Sequence, residues 1–344
     1  MEPNTELLHV DWPSDAHTLK IPIVDVTNPR FALDDNPSTR ASLQQLYEVE
    51  EQRQAKTPRL ISALTLRLGA RQSRLLHGLV HAGTDHLGGL HTYLMKLGAD
   101  NLPAGFDGPI DRKVAATPHA LSMRLRLQQC AMLLAEGLQD ALAQSPSKPL
   151  HMLNIAGGTA IDSLNALILL HLKDPALLRR PIKIFVLDID PIAPDFGARA
   201  ASVLSAPGHI LSGLDLHFEH QPYDWNDTKP LADRIRQSAA SQAILAASSE
   251  GGLFEYATDS AIVANLQVFA HATDVKVIVG SVTCSDPLRR ASIKRARFKL
   301  ILRGVEGINE LAEQAGLELS RFEHTPLSDQ VLLRPKAASS PEVP

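Results

Sequence analysis

The sequence predicts an α/β fold in which a mostly parallel, seven-stranded sheet carries helices on both faces and a mainly helical N-terminal region caps it. Three observations lead to this prediction. After residue 149, short apolar runs alternate with helical segments, which is typical of a parallel sheet. The run at residues 275–281 is rich in Val and Ile, as a strand buried on both faces should be. Before residue 145, apolar residues recur instead at helical spacing.

The N-terminal region contains three predicted helices, at residues 42–56, 62–80 and 120–142. Residues 97–118 are rich in Gly and Pro and are predicted to be irregular. The first thirty-odd residues are rich in proline, so we expect an arm there and not a part of the core.

The strands and helices of the sheet domain are predicted in regular alternation. The strands are residues 150–156, 182–187, 214–221, 243–247 and 275–281, closed by the pair 317–323 and 330–333. The helices are residues 162–172, 196–204, 229–238 and 259–271, and a further helix that ends near Gly316.

A Pro- and Ser-containing linker divides the predicted chain into two parts. Residues 1–145 form the N-terminal helical cap, or lid, and residues 146–336 form the sheet domain. Residues 337–344 are expected to be a disordered tail.

Composition favours a soluble cytoplasmic protein. Of the 344 residues 44% are hydrophobic and 21% are charged, and the net charge is -4, which gives no general attraction to nucleic acid or to an anionic membrane. No apolar stretch is long enough to span a bilayer, and the N-terminal residues lack the order of a signal peptide. Cys130 and Cys284 alone cannot form a disulfide framework or a closed zinc site.

The most informative segment is the end of the first predicted strand and the turn after it. Apolar residues lead into a turn of very small residues and then a helix with an acidic start, in the stretch His151-Met-Leu-Asn-Ile-Ala-Gly-Gly-Thr-Ala-Ile-Asp162. Small residues let the main chain approach a ligand closely, and amides at the helix start then face its polar groups. Asp188 follows the second predicted strand, where a carboxylate is placed to accept hydrogen bonds from ribose hydroxyls. The pattern predicts a nucleotide-type site.

The spacing of Ala156, Gly158 and Ala160, together with Asp188 and the helical N-terminal region, resembles the class I S-adenosylmethionine-dependent methyltransferases. The resemblance covers residues 150–335 and includes the order of strands and helices, with an antiparallel last strand. It implies that the predicted sheet is Rossmann-like. It also implies S-adenosylmethionine as the cofactor and S-adenosylhomocysteine as the product.

The same resemblance implies cofactor-binding residues in four segments. They are Asn154, Ala156, Gly157, Gly158 and Thr159 around the turn, Asp188 and Ile189 after the second strand, Tyr223, Asp224 and Trp225 after the third, and Ser248 and Ser249 at the fourth. The turn would lie under the methionine part, Asp188 would bind the ribose, and the third segment would hold the adenine. The chain departs from the family at the turn, where Ala replaces two of the three usual glycines and Asn154 replaces the usual acid.

The implied activity is transfer of a methyl group to a small molecule, at oxygen, under a lid formed by the N-terminal region. Since the cofactor carries the reactive group, the protein aligns the reactants and supplies a base where the acceptor must lose a proton. Glu250 and His324 are the candidates for this base, because both follow predicted strands on the catalytic side of the sheet. No metal site is predicted.

Four histidines lie close together in the sequence: His77, His81, His86 and His91. The first two would share a helix face, as two metal ligands do, but glycines interrupt the helix and no acidic or cysteine partner has the usual spacing. We expect His86 or His91 to line the substrate pocket instead.

A basic run contains Arg289, Arg290, Lys294, Arg295, Arg297 and Lys299. We expect a solvated or lid surface there, with methylation of RNA as an alternative function. Phe298 is the only aromatic residue within the run, which disfavours nucleic acid. A second alternative is a methyltransferase-like subunit that binds the nucleotide without turnover. The expected partner is a small-molecule substrate, with a homodimer as a further hypothesis. The sequence contains no G-x-S-x-G elbow and no phosphate-binding loop.

Overall fold

The computed structural model describes residues 6–14, 18–81, 88–296 and 299–336. Within these ranges the chain forms nine strands, thirteen α-helices and one 3₁₀ helix. The predicted tail at residues 337–344 lies outside the described residues.

Two strands form a hairpin and seven form the main sheet. The strands are β1 His9–Pro13, β2 Thr18–Pro22, β3 Leu150–Ile155, β4 Ile182–Leu187, β5 Leu216–Gln221, β6 Ile244–Ser249, β7 Val275–Thr283, β8 Leu317–His324 and β9 Ser328–Pro335. β1 and β2 pair with each other, and the main sheet has the order β5-β4-β3-β6-β7-β9-β8. β3 to β7 are parallel, whereas β9 is antiparallel to both β7 and β8. The predicted α/β class, with seven strands and an antiparallel last strand, is confirmed.

The helices are α1 Pro37–Lys56, α2 Arg59–Ala70, α3 Arg74–His81, α4 Gly89–Lys96, α5 Pro109–Ala115, α6 Pro118–Gln144, α7 Ile161–Lys173, α8 Ile192–Leu204, α9 Lys229–Ala240, α10 Leu253–Tyr256, α11 Asp259–Ala270, α12 Pro287–Ala296 and α13 Gly304–Gln314. The 3₁₀ helix is Pro175–Leu178. None of the helices in the described ranges combines the length and the hydropathy that crossing a bilayer requires.

The strand order reverses at β3, because β4 and β5 lie on one side of it and β6 and β7 on the other. Ligands of open α/β sheets bind at the carboxyl ends of the strands beside such a point. Every residue of β3 and β6 is buried, as central strands covered on both faces should be. The fold therefore indicates a ligand-binding site at the carboxyl ends of β3, β4 and β6.

The helix predicted at residues 62–80 is two helices, α2 and α3. Ser73 interrupts it because its Oγ accepts a hydrogen bond from the Leu76 N–H at 2.9 Å, which caps the start of α3. The same hydroxyl donates to the Oδ1 atom of buried Asp111 at 2.6 Å. Asp111 belongs to α5, a helix within the segment that was predicted to be irregular.

The residues described before α1 contribute to the core, so the prediction of an arm is wrong for them. Val10 and Ile21 are 1% exposed and join the hydrophobic cluster that includes the sheet. The Val26 N–H donates to the Oδ1 atom of Asn165 on α7 at 2.8 Å, which satisfies a buried backbone group. Two of the prolines that suggested an arm, Pro13 and Pro22, stand at the ends of β1 and β2.

The long helix α6 covers the sheet although it precedes the predicted linker. It packs against α7, β7 and β9. Leu127, Leu134 and Leu138 are at most 1% exposed, and a Cβ at Gly137 would lie 2.7 Å from the Val277 Cγ2 atom. The predicted division near residue 145 thus falls between a helix and the sheet on which it packs.

Candidate active site

A cavity of about 790 Å³ lies at the carboxyl ends of β3, β4 and β6. Its floor is the turn at residues 156–159 and the segments that follow β4, β5 and β6. Its roof is α4, through residues 89, 92, 95 and 96 on one helix face, together with residues 119, 123 and 126 of α6. α12 closes one side. The N-terminal region therefore covers the carboxyl edge of the sheet over a space of ligand size, since ligand pockets span about 300–1,000 Å³.

The turn after β3 holds the main chain at the cavity surface. Ala156, Gly158 and Ala160 have φ angles of 50°, 61° and 49°, the left-handed region that glycine adopts most easily. A Cβ at Gly157 would collide with the Oδ1 atom of Asn154. Position 157 therefore requires glycine because no space exists for a Cβ atom there. Ala156 and Ala160 are strained by their left-handed backbone.

The roof touches the floor at three residues with little or no side chain. A Cβ at Gly89 would lie 2.7 Å from the Ala193 Cβ atom and 3.0 Å from the Gly158 Cα atom. A Cβ at Gly158 would in turn lie 3.1 Å from the Gly89 Cα atom. α4, the turn and α8 therefore meet by main-chain contact, and we call this the roof contact.

Asp188 follows β4 and faces the turn, as predicted. It is 8% exposed and lines the cavity. Its Oδ2 atom accepts a hydrogen bond from the Gly158 N–H at 3.0 Å, and its Oδ1 atom accepts one from the Asp190 N–H at 2.9 Å. Burial raises the pKa of Asp188, and these two backbone donors oppose that shift. Each carboxylate oxygen keeps a second lone pair with which it can accept another hydrogen bond.

The segment after β5 and the residue after Asp188 form the outer part of the floor. Ile189, Tyr223, Asp224 and Trp225 all line the cavity. Ile189 is 68% exposed, a large apolar surface for a residue at a cavity. Asn265 fixes the segment, because its Oδ1 atom accepts from the Tyr223 hydroxyl at 2.5 Å and its Nδ2 atom donates to the Trp225 carbonyl at 2.8 Å.

Asn154, Ser248 and Ser249 are buried and do not line the cavity. The Asn154 Nδ2 atom donates to the Oδ1 atom of Asp162 and to the Oγ atom of Ser248, both at 2.9 Å, and so joins β3 to α7 and β6. The Ser249 Oγ atom accepts from the Leu253 N–H at 2.9 Å. In the structure they support the floor from below, and their predicted role in cofactor binding stays a prediction.

Glu250 lines the cavity, but its carboxylate is already paired. The Lys96 Nζ atom donates to its Oε2 atom, and the Arg126 Nε atom donates to its Oε1 atom at 2.6 Å. Arg126 also donates to the Oε1 atom of Glu255 at 3.1 Å. The four side chains are at most 8% exposed. We call these two cations and two carboxylates the buried quartet.

The quartet weakens the case for Glu250 as a base. Burial alone would raise the pKa of Glu250, but the Lys96 and Arg126 charges outweigh burial and hold the pKa below its usual value. Both carboxylate oxygens already accept hydrogen bonds from these cations, so a proton taken from a substrate would break a buried ion pair. The geometry therefore favours a structural or orienting role for Glu250.

His324 lies away from the cavity. β8 is three strands from β6 in the sheet, and strands about 4.8 Å apart place it about 14 Å away. The His324 side chain is 56% exposed, and its Nδ1 atom hydrogen-bonds the Oδ1 atom of Asp329 at 2.6 Å. Cys284 completes a group whose three possible ligand atoms lie within 4.8 Å of one another. The prediction of His324 as the base is corrected, because the end of a strand fixes the edge of the sheet but not the position along that edge.

Of the two histidines predicted as alternatives to line the pocket, the structure describes His91, and His91 does not line it. The His91 Nε2 atom is 2.9 Å from the Leu75 carbonyl oxygen, and His91 is absent from the cavity wall. Burial lowers the pKa of His91. The other candidate, His86, lies outside the described residues.

The basic run forms α12 and the residues after it. Arg290 and Lys294 are exposed, as expected of a solvated face. Arg289 differs, because it is 8% exposed and lines the cavity. The side chains of Arg295 and Arg297 lie outside the described residues.

His119 is a cavity residue that the sequence analysis missed. Its Nε2 atom lies 3.5 Å from the Oε1 atom of Glu51 on α1, which also accepts from the Ser292 Oγ atom at 3.1 Å. Burial, and then the charge of Arg289, lower the pKa of His119 to about 4, so the imidazole is neutral at neutral pH. No local sequence pattern joins His119 to Glu51, because the contact forms only when α1 and α6 pack together.

No protein-family model matches this chain, and no curated protein matches its sequence. Among solved structures the chain is similar to human N-acetylserotonin methyltransferase in complex with SAM, with 14% identity over 63% of this chain and 55% of that chain and a TM-score of 0.38. It is also similar to NcsB1, an O-methyltransferase from neocarzinostatin biosynthesis in complex with S-adenosylhomocysteine and 1,4-dihydroxy-2-naphthoic acid, with 18% identity, 65% and 58% coverage and a TM-score of 0.39.

A third similar structure is a LepI variant in complex with S-adenosylhomocysteine and a substrate analogue. Here the identity is 14%, the match covers 88% of this chain and 95% of that chain, and the TM-score is 0.43. The chain spans little more than half the length of the first two proteins. The fold class of this chain follows from its own strand order, and the roles proposed below follow from its own contacts.

Proposed function

We propose that this protein is an S-adenosylmethionine-dependent methyltransferase that transfers a methyl group to an oxygen atom of a small molecule. The observation that carries the proposal is one cavity that joins the turn at residues 156–159 and Asp188 to an enclosed chamber under α4 and α6. A nucleoside-containing donor and a small acceptor can then occupy one space, as direct transfer between them requires.

The floor of the cavity fits S-adenosylmethionine. Gly157 and Gly158 leave the main chain open to close approach, and the spare lone pairs of Asp188 suit two ribose hydroxyls. Ile189 and Trp225 offer apolar surface for the adenine. When bound, this cofactor supplies an electrophilic methyl group.

The roof would exclude water and orient the acceptor. Thr92 and Met95 of α4 and Met123 of α6 face the cavity from above. Leu76 and Leu79 of α3 extend this wall with apolar side chains. Enclosure of this kind holds two reactants in line and keeps water from competing with the acceptor.

We assign the proton acceptor to His119 in place of Glu250 or His324. Neutral imidazole carries one free lone pair, and the Nε2 atom of His119 faces the Glu51 carboxylate, so the Nδ1 atom remains to take a proton from the acceptor hydroxyl. Glu51 would stabilise the imidazolium that forms. The proton then resides on a group that lines the same cavity.

Binding of S-adenosylhomocysteine, measured by calorimetry, tests the proposal. The wild type should bind it, and Asp188→Asn should weaken binding by about 1–3 kcal/mol through loss of charge-assisted hydrogen bonds. Asp195→Asn is the matched control, because Asp195 is 51% exposed on α8. No binding by the wild type would contradict the proposed function. Unchanged affinity in Asp188→Asn would remove Asp188 from the site.

We further propose a homodimer that uses the outer surface of α1 and α2. Leu46, Val49, Ile61 and Leu64 are each more than half exposed there. Clustered apolar side chains of this kind mark interaction surfaces. A cytoplasmic location stays a prediction of the sequence. Within the described residues no contact favours an RNA substrate or a purely regulatory role.

A further inference from the structure

Arg289 is a buried cation in the wall of the cavity. It lies in the first turn of α12, one turn before Ser292 and Ile293, which also line the cavity. The Arg289 side chain is 8% exposed, and its Nε atom is fully buried without a hydrogen-bond partner. Its guanidinium forms no hydrogen bond or ion pair with the residues that the structure describes.

The other buried cations of the cavity are neutralised. Lys96 and Arg126 are held by Glu250 and Glu255 in the buried quartet. Lys299 also lines the cavity but is exposed to solvent. Among the described cavity residues, Arg289 is therefore the buried cation whose guanidinium forms no ion pair with a carboxylate of the protein. The buried Glu51 carboxylate contacts His119 and Ser292.

The charge of Arg289 acts on the acceptor side of the cavity. After burial, its charge is the second cause of the lowered pKa of His119, and it partly opposes the rise that burial causes in the pKa of Tyr256. Both residues line the cavity. α12 follows β7, whereas Asp188 follows β4, on the other side of β3. Arg289 is thus placed with the assigned proton acceptor and away from the residues assigned to the ribose.

A buried guanidinium without a partner is costly, because arginine stays charged and loses its hydration. Its planar fork of N–H donors matches a carboxylate, which binds it through two parallel hydrogen bonds. The cavity wall also includes Ile293, one turn after Arg289 on α12, and Leu300 and Leu327, which suit an apolar body. The site therefore matches an anion attached to an apolar molecule.

We propose that the methyl acceptor is an apolar hydroxy acid whose carboxylate binds Arg289 while its hydroxyl faces His119. This inference rests on the proposed function, because it names the chemical class of the acceptor for that reaction. Arg289 is a binding residue in this scheme, and it fixes which hydroxyl of the substrate reaches the methyl group.

Matched pairs of probes test the carboxylate site without turnover. Benzoate is compared with benzamide, and 2-naphthoate with 2-naphthamide, by calorimetry on the full chain saturated with S-adenosylhomocysteine and on the chain alone. We expect the wild type to bind at least one acid about tenfold more tightly than its amide, a difference of about 1.4 kcal/mol, because the acid forms charged hydrogen bonds that the amide cannot form. Arg289→Met should abolish this preference, and Arg289→Lys should retain part of it.

Lys294→Met is the matched control, since Lys294 is an exposed cation on the same helix. It should leave the preference for the acids unchanged. Arg289→Met should also keep or raise the melting temperature of the ligand-free protein, whereas an arginine with a purely structural role would lower it. This second measurement distinguishes a lost site from a misfolded variant.

Three results would overturn the inference. The first is a wild type that prefers neither acid to its amide or binds neither acid, and the second is an Arg289→Met variant with the same preference as the wild type. The third is an Arg289→Met variant that loses affinity for S-adenosylhomocysteine but keeps the acid preference, which would assign the arginine to the cofactor. Failure of the proposed function is seen separately, as a wild type that does not bind S-adenosylhomocysteine.

Discussion

Replacing Lys96 by Met removes one cation from the buried quartet and leaves two carboxylates with one arginine. Lys96 is 4% exposed and its partner Glu250 is 5% exposed, so water cannot take over the lost interaction. Removing one member of a buried pair costs about 3–5 kcal/mol. Since Arg126 still contacts Glu250 at 2.6 Å, we expect the lower end of that range, about 3 kcal/mol of unfolding free energy.

The cost of Lys96→Met should depend on pH. In the wild type the pKa of Glu250 is lowered below its ordinary value of 4.5, so the stabilisation is present above that value and is lost as the pH falls through the lowered pKa. In the variant, burial acts on an excess negative charge and favours protonation of one carboxyl. Acid then relieves the variant within the quartet, whereas Glu250 stays ionised in the wild type. Buried Asp162, whose pKa burial raises to about 6, takes up a proton over this range in both proteins and so contributes to both stabilities. The difference in stability should therefore shrink between about pH 7 and about pH 5.

Urea unfolding at these two pH values measures the effect. At about pH 7 the midpoint should fall by about 1 M or more, since small proteins lose about 1–3 kcal/mol per molar urea. Lys294→Met is the control and should change stability by less than about 0.5 kcal/mol. The double variant Lys96→Met with Glu250→Gln restores equal numbers of charges and should recover most of the loss. A cost below about 1 kcal/mol, or one that is equal at both pH values, would refute the reasoning.

Three further predictions concern the turn, the proposed base and the proposed dimer. Ala156→Gly should leave the melting temperature nearly unchanged, because relief of the left-handed backbone at Ala156 (φ 50°) offsets the flexibility of glycine. The control Ala198→Gly, within α8, should cost about 0.5–1 kcal/mol of stability. Equal losses of the two variants in thermal unfolding would show that the turn is unstrained. The His119 imidazole, assigned by comparison with His119→Gln, should titrate in NMR spectra with a pKa of about 4. An ordinary value near 6.5 would show that burial and the charge of Arg289 do not act on this imidazole as the structure indicates. Leu64→Lys should reduce the molar mass measured by light scattering to that of one chain. The control Leu172→Lys, at a similarly exposed apolar position on α7, should not reduce it. A wild type with the mass of one chain would disprove the dimer.

The fold and the floor of the site were predictable because their signals are local. Alternating runs of about strand and helix length specify the sheet, and the turn at residues 156–160 and Asp188 each stand directly after a strand. Parallel strands bring their carboxyl ends to one edge, so residues in separate segments converge without any need to know their contacts.

The roof and side of the site could not be predicted in this way. The pairs Lys96 with Glu250 and Glu51 with His119 join distant segments, and no periodicity in the sequence connects them. The inward orientation of Arg289 depends on how α12 is rotated against the cavity, while its sequence neighbours Arg290 and Lys294 point to solvent. The sequence pattern alone indicates one basic surface, because it does not determine the rotation of α12.

The roof contact also limits how the cavity can exchange its contents. Most helix contacts yield by side-chain rotation, but Gly89 and Gly158 have no side chains, so neither can change rotamer to widen the passage. At this point α4 either contacts the turn or is separated from it by a movement of its main chain. Release of a nucleoside past α4 would then require that separation, and the time a product stays bound would be set by the N-terminal region and not by the affinity of the floor alone.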